Sequence, residues 1–138
     1  MSKTITAKAV PTVERLRFLP EFFTPRLMIQ AEGMLYNQAG QLCADYKGGY
    51  WNFYRLSNGG FYVAPETDRR FNVSVQGNDY EGEVGADAFG VIVTLFLLGA
   101  LVWIDNADLR EKFSDHYYQL RDFAKDHAEA GAIFRAID

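Results

Sequence analysis

The sequence contains a single cysteine, and this scarcity limits how the fold can be held together. Cys43 has no second cysteine with which to form an internal disulfide, so a disulfide framework is excluded. A chain of 138 residues can instead bury enough apolar surface to fold as one domain. The missing disulfides also suit a reducing cytoplasm, where we expect this protein to act.

Basic charge is scarce as well. Eighteen acidic residues against fourteen basic ones give a net charge of −4 and a pI of about 5.1. The lysines are scattered along the chain and form no basic stripe of the kind that binds nucleic acid. A DNA mimic would need one negative charge per ~1.7 Å of duplex axis, which these partly neutralised acids do not supply. We therefore predict neither direct DNA binding nor DNA mimicry.

The N-terminal residues lack the continuous apolar stretch of a signal peptide. Residues 1–11 are small, polar or singly apolar without a period, and Pro11 closes them. They are predicted to form a flexible N-terminal arm. A single domain is predicted to follow over residues 12–138.

One long apolar run extends from Ala88 to Ile104 and is apolar on every side. As a helix it would cover about 26 Å, which is less than the roughly 30 Å hydrocarbon layer of a membrane. Acidic residues flank the run on both sides and no basic residue anchors it. We therefore predict a buried central helix over about 87–104 and no membrane span.

An aromatic-rich stretch over residues 50–64 predicts a β-hairpin. Both of its faces carry bulky apolar side chains, and the turn Ser57-Asn58-Gly59-Gly60 separates its halves. Glycine and asparagine tolerate positive φ, as a tight hairpin turn requires. Since neither face can remain in water, the rest of the chain is expected to wrap around this hairpin.

The remaining segments complete an α+β fold. Thr24-Pro25 resembles a helix start, so a helix is predicted from Pro25 to about Cys43, after docking turns. Residues 71–75 alternate as a strand, and residues 80–85 predict another. Residues 113–124 predict an amphipathic helix. The predicted fold is a small antiparallel sheet of three to four strands, built on the hairpin and packed with the central helix and flanking amphipathic helices.

Three carboxylates, Glu81, Glu83 and Asp87, lie at the start of the predicted central helix. Helix capping accounts for them, because carboxylates are favoured at a helix N-terminus. An acidic docking patch is the functional interpretation. The spacing matches no phosphate-binding loop, and no histidine spacing supports a metal site, so no cofactor or metal is predicted. The alternative is a small-molecule or hydrolytic site that combines these carboxylates with His116.

Four segments strongly resemble the ArdB/KlcA family of antirestriction proteins: RFLPEFF, LCADYKGGYWNFYRLSNGGFYVAP, YEGEVGADAFG and HYYQLRDFAKDHAEAGAIFRAID. The likeness extends from Phe18 to Asp138. The resemblance implies a small cytoplasmic α+β protein, carried by plasmids and other mobile elements, that relieves restriction by type I restriction–modification enzymes. It also implies a non-enzymatic inhibitor, distinct from the heavily acidic DNA mimics.

The expected partner is the type I restriction–modification complex, reached directly or indirectly by a monomer or weak dimer. The resemblance assigns no functional residue, and no catalytic residue is predicted. The candidate interaction surface consists of the hairpin turn and the acidic cluster: Ser57, Asn58, Glu81, Glu83 and Asp87.

Overall fold

The computed structural model describes residues 4–138, so residues 1–3 of the predicted arm lie outside the described part. Within it the chain forms five strands and four α-helices, with two short 3-10 segments. In chain order the strands and α-helices are β1 (Ala7–Ala9), α1 (Arg15–Leu42), β2 (Trp51–Leu56), β3 (Phe61–Pro65), β4 (Phe71–Val75), β5 (Tyr80–Val84), α2 (Ala86–Leu101), α3 (Ala107–Ala124) and α4 (Ala130–Ile137).

The first three strands form an antiparallel sheet in the order β1-β2-β3. Strands β2 and β3 are the predicted hairpin. Strand β1 comes from the predicted arm and pairs along the outer edge of β2, with Lys8 opposite Arg55. The backbone N–H of Val10 donates to the carbonyl oxygen of Phe53 at 2.8 Å. Residues 7–10 therefore do not form the free arm that their composition suggested.

Strands β4 and β5 form a second, two-stranded antiparallel sheet. Both strands were predicted, but the prediction that they belong to the hairpin sheet is wrong, because they pair with each other in a separate sheet. In β4 the apolar residues are buried and the polar ones exposed, as the alternating pattern indicated. The Phe71 ring stacks on the Phe89 ring of α2 at a centroid distance of 4.5 Å. The α+β class is confirmed, with two small sheets in place of one.

Helix α1 begins at Arg15 and bends sharply at Thr24, where φ is 68° and ψ is 154°. The predicted helix start coincides with this bend, so the second half of α1 is confirmed. The first half, predicted as turns, is helical because its phenylalanines pack on the hairpin. The Phe18 ring lies 4.7 Å from that of Phe53, and the Phe22 ring lies 4.2 Å from that of Phe61.

Helix α2 is the predicted central helix, and most of its residues are buried. It runs along the free edge of β3, where the Thr94 hydroxyl donates to the Gly90 carbonyl at 2.8 Å. The same hydroxyl accepts from the Val63 backbone N–H at 3.3 Å. The helix ends at Leu101, earlier than predicted, and Trp103 beyond it is exposed. No helix in the described range is long and apolar enough to cross a membrane.

Helices α3 and α4 both pack against α2 and complete the core. Asn106 caps α3, since its side chain accepts a hydrogen bond from the Leu109 backbone N–H at 3.0 Å. The predicted amphipathic pattern of α3 is confirmed, with Phe113, Leu120 and Ala124 buried. Helix α4 packs against α2 and against both strands of the second sheet. Glu129 at its N-terminal end accepts a hydrogen bond from the Gly85 backbone N–H, so the start of α4 lies beside the start of α2.

Candidate interaction surface

The hairpin turn is anchored on two sides by hydrogen bonds. The Ser57 hydroxyl accepts from the Thr6 backbone N–H at 2.9 Å. The Asn58 side chain donates to the Gln119 carbonyl of α3 at 2.9 Å, and the Gln119 side chain donates to the Asn58 carbonyl at 3.2 Å. Ser57 and Gly59 remain exposed, whereas Asn58 is only partly so. The turn thus offers water a small, well-fixed polar surface.

The acidic cluster is divided between two elements. Glu81 and Glu83 lie on the exposed face of β5. The Arg70 guanidinium donates to the Glu83 carboxylate at 2.8 Å and to that of Glu129 at 3.3 Å. Glu129 also accepts from the Gly85 backbone N–H, so it holds the N-terminus of α2 in place. In the acidic patch, the charge of Glu83 is therefore balanced by Arg70, and the neighbouring Glu129 stabilises the start of α2.

Asp87 lies in the first turn of α2 at the centre of a hydrogen-bonded group. One oxygen of its carboxylate accepts from the Tyr62 hydroxyl and the other from His127 Nε2, each at 2.7 Å. His127 Nδ1 accepts from the Glu129 backbone N–H at 2.9 Å. Since Nδ1 acts as an acceptor, the proton of the neutral imidazole is on Nε2 and faces Asp87.

The electrostatics of this group follow from its burial and its hydrogen bonds. Burial pushes the pKa of Asp87 upward, but the hydrogen bonds from His127 and Tyr62 outweigh it, so that the pKa is lowered overall. Burial, together with the neighbouring Asp87 charge, raises the pKa of Tyr62. Asp87 is therefore a carboxylate, and Tyr62 a neutral donor, at any physiological pH.

His116 does not join the three carboxylates, which counts against the alternative hydrolytic site. Its Nδ1 lies 2.8 Å from the Gln119 side-chain oxygen, and its ring packs edge-on against Phe22 and Phe61. Burial lowers the pKa of His116. Across residues 4–138, no three histidine, cysteine, aspartate or glutamate side chains are grouped to hold a metal ion. The histidine that does contact Asp87 is His127, which is 40 positions away and belongs to no spaced motif.

Comparison with known proteins decides the family. The family model described as "Antirestriction protein" matches residues 44–138, which include the hairpin, both strands of the second sheet and the three C-terminal helices. The chain belongs to the antirestriction protein family.

Individual relatives agree with this assignment over nearly the full length of the antirestriction protein. This chain is 47% identical over 135 residues to an "Antirestriction protein KlcA" of Escherichia coli, and the alignment covers 97% of this chain and 95% of the relative. A second E. coli protein of the same name is 48% identical over 138 residues, with 97% and 94% covered. The resemblance drawn from the sequence motifs is confirmed.

A solved structure shows that the fold is shared as well. It superimposes on the antirestriction protein with a TM-score of 0.91 at 45% identity, covering 100% of this chain and 98% of that one. It comes from work on the KlcA and ArdB proteins that reports a novel fold and antirestriction activity against type I DNA restriction systems in vivo but not in vitro.

Proposed function

We propose that this protein relieves DNA cleavage by type I restriction–modification enzymes in the cell without inhibiting the isolated enzyme. The proposal rests on the full-length match, at 45% identity, to a solved structure from the study of KlcA and ArdB. That study reports antirestriction activity in vivo but not in vitro. At this TM-score the two chains share the same backbone fold.

The proposed action does not rely on imitation of DNA. Two acids are already paired with arginines within the protein, because Glu21 pairs with Arg55 and Glu83 with Arg70. Such neutralised carboxylates do not present the regular charge array of a duplex. A protein–protein contact, or an indirect effect on the restriction complex, fits the charge distribution better.

The mode of action, the cellular location, the oligomeric state and the interaction surface are part of the same proposal. The protein acts as a non-enzymatic inhibitor in the cytoplasm, as a monomer or weak dimer. It reaches the restriction complex directly or through another cellular component. In the predicted surface, Glu83 already pairs with Arg70, and Asp87 is bonded to Tyr62 and His127. The other members are best placed to meet a partner: Ser57 and Glu81, which are exposed, and Asn58, which is partly so.

Plating of unmodified phage tests the function. We expect phage to form more plaques on a host with an active type I system when this chain is expressed, and no change on a host that lacks the system. Digestion of unmodified DNA by the purified type I enzyme is expected to proceed at the same rate with and without the protein. Unchanged plating at confirmed expression would contradict the proposed function, and strong inhibition in the purified reaction would contradict the proposal that the isolated enzyme is not inhibited.

A further inference from the structure

Aromatic side chains on one face of the three-stranded sheet form a stacked row that stops before the sheet does. Tyr62 on β3 and Tyr54 on β2 are direct cross-strand partners, with ring centroids 4.7 Å apart and planes inclined by 13°. Phe123 of α3 stacks on the other side of Tyr62, at 5.4 Å and 25°. The row thus runs from α3 outward across the sheet.

The next place in the row belongs to Ala9 of β1, the direct partner of Tyr54. Paired residues of adjacent strands point to the same face and lie about 4.8 Å apart, which matches the spacing of the stacked rings. Alanine supplies only a methyl group there, and both Ala7 and Ala9 are exposed. Beside the Tyr54 ring there is consequently room above β1 for one more flat group.

The charges around this shelf, formed by Tyr54 and Ala9, are negative. Burial raises the pKa of the Tyr54 hydroxyl, and the nearby carboxylates of Asp87 and Glu66 raise it further. The Asp87 side chain is 45% exposed, and Glu66 is also exposed. The nearest basic side chains of the sheet, Lys8 and Arg55, are paired with each other in register and so point to the opposite face. The shelf therefore favours a group that is both flat and positively charged.

We propose that Tyr54 and Ala9 form a docking site for an arginine side chain of a partner protein. The guanidinium is planar and weakly hydrated, so it stacks on an aromatic ring in a way that the compact lysine ammonium does not. Its charge is attracted by the face of the ring and by the two carboxylates. A nucleobase could also stack, but its phosphates would meet carboxylates where single-strand binding requires a basic groove.

The test uses the full-length, isotope-labelled protein and two blocked peptides of equal charge, Gly-Arg-Gly-Arg-Gly and Gly-Lys-Gly-Lys-Gly. In an NMR titration we expect the arginine peptide to shift the Ala9 amide and the Tyr54 ring signals in a saturable manner. The lysine peptide is expected to bind at least about threefold more weakly, as a stacking contribution of about 0.6 kcal/mol or more implies.

Three variants separate the ring from its surroundings. Y54F keeps the aromatic face and is expected to bind the arginine peptide as the wild type does, whereas Y54L is expected to bind about threefold or more weakly. A9Y completes the aromatic row with the protein's own ring and is expected to block the peptide. Thermal melts check folding, and if Y54L is unfolded, the comparison of A9Y with Y54F still decides.

Equal binding of the two peptides, or binding by A9Y that matches the wild type, would overturn the site. Stronger perturbation of Tyr54 by an oligothymidylate would also overturn it, in favour of a base-stacking surface. Broadening of the same signals with protein concentration alone would assign the shelf to a second copy of the chain. Because this experiment measures peptide binding, a negative result would leave the proposed antirestriction function, which is tested by phage plating, unaffected.

Discussion

At the scale of single residues, Gly90 shows how closely α2 approaches the hairpin. A Cβ atom at this position would overlap the Val63 carbonyl oxygen and the Ala64 backbone and side chain. These neighbours belong to a buried strand and cannot give way as the tip of a flexible side chain can. Glycine at this position is therefore required by packing and not by an unusual φ.

We predict that G90A destabilises the protein, although alanine favours a helix by about 1 kcal/mol over glycine. Overpacking typically costs about 1–3 kcal/mol, and overlap with backbone atoms places G90A at the upper end of that range, so the net loss in unfolding free energy should be about 2 kcal/mol. Urea denaturation measures it. The matched control is G33A in α1, where an added Cβ meets nothing within 4 Å and a gain of up to about 1 kcal/mol is expected. Equal effects of the two substitutions would contradict the close approach.

At the scale of elements, the bend in α1 lets one helix serve two packing surfaces. The first half places Phe18 and Phe22 on the hairpin, whereas the second half buries residues such as Ala31 and Leu35 elsewhere in the core. Thr24 at the bend has a φ and ψ that are almost restricted to glycine. The backbone strain is the consequence of joining two helical directions without a glycine.

We predict that T24G stabilises the protein by about 1 kcal/mol, since removing the Cβ relieves a strain of about 1–3 kcal/mol that exceeds the added entropy of an unfolded glycine. T24A is the control, because it keeps a Cβ and should gain little. Thermal and urea unfolding of the three proteins give the comparison. A T24G variant no more stable than T24A would show that the bend is not strained at this residue.

Sequence patterns predicted the elements whose causes are local. The Asn-Gly-Gly turn and the continuous apolar run of α2 indicated the hairpin and the central helix directly. Strand β1 was missed because Ala-Lys-Ala has little intrinsic strand preference and is extended by its pairing with β2. The first half of α1 was missed because two prolines and clustered phenylalanines hide its period. Partnerships across the fold, such as Asp87 with His127, depend on tertiary structure and left no pattern to read.

At the scale of the whole molecule, α1, the hairpin and α3 meet around one histidine. The His116 ring of α3 lies 5.2 Å from that of Phe22 in α1 and 5.3 Å from that of Phe61 in β3. Lys112, Asp115 and Glu21 are the charged groups that act on it, but burial is the largest influence and lowers its pKa. The interface among these three elements is therefore built around a neutral imidazole.

The lowered pKa makes folding depend on pH in a defined direction. Above about pH 6.5 His116 is neutral in both the folded and the unfolded chain, and its full contribution to stability is present. As the pH falls below this value the unfolded chain takes up a proton that the folded chain resists, so stability decreases, by at most about 1.4 kcal/mol per pH unit. We predict that urea unfolding free energies of the wild type fall more steeply between pH 7 and pH 5 than those of H116F. Other titrating groups are common to both proteins and cancel in the difference. If the unfolding free energies of the wild type and H116F fell in parallel with pH, the folded protein would accept a proton on His116 as readily as the unfolded chain does. The inference that the interface requires a neutral imidazole would then be wrong.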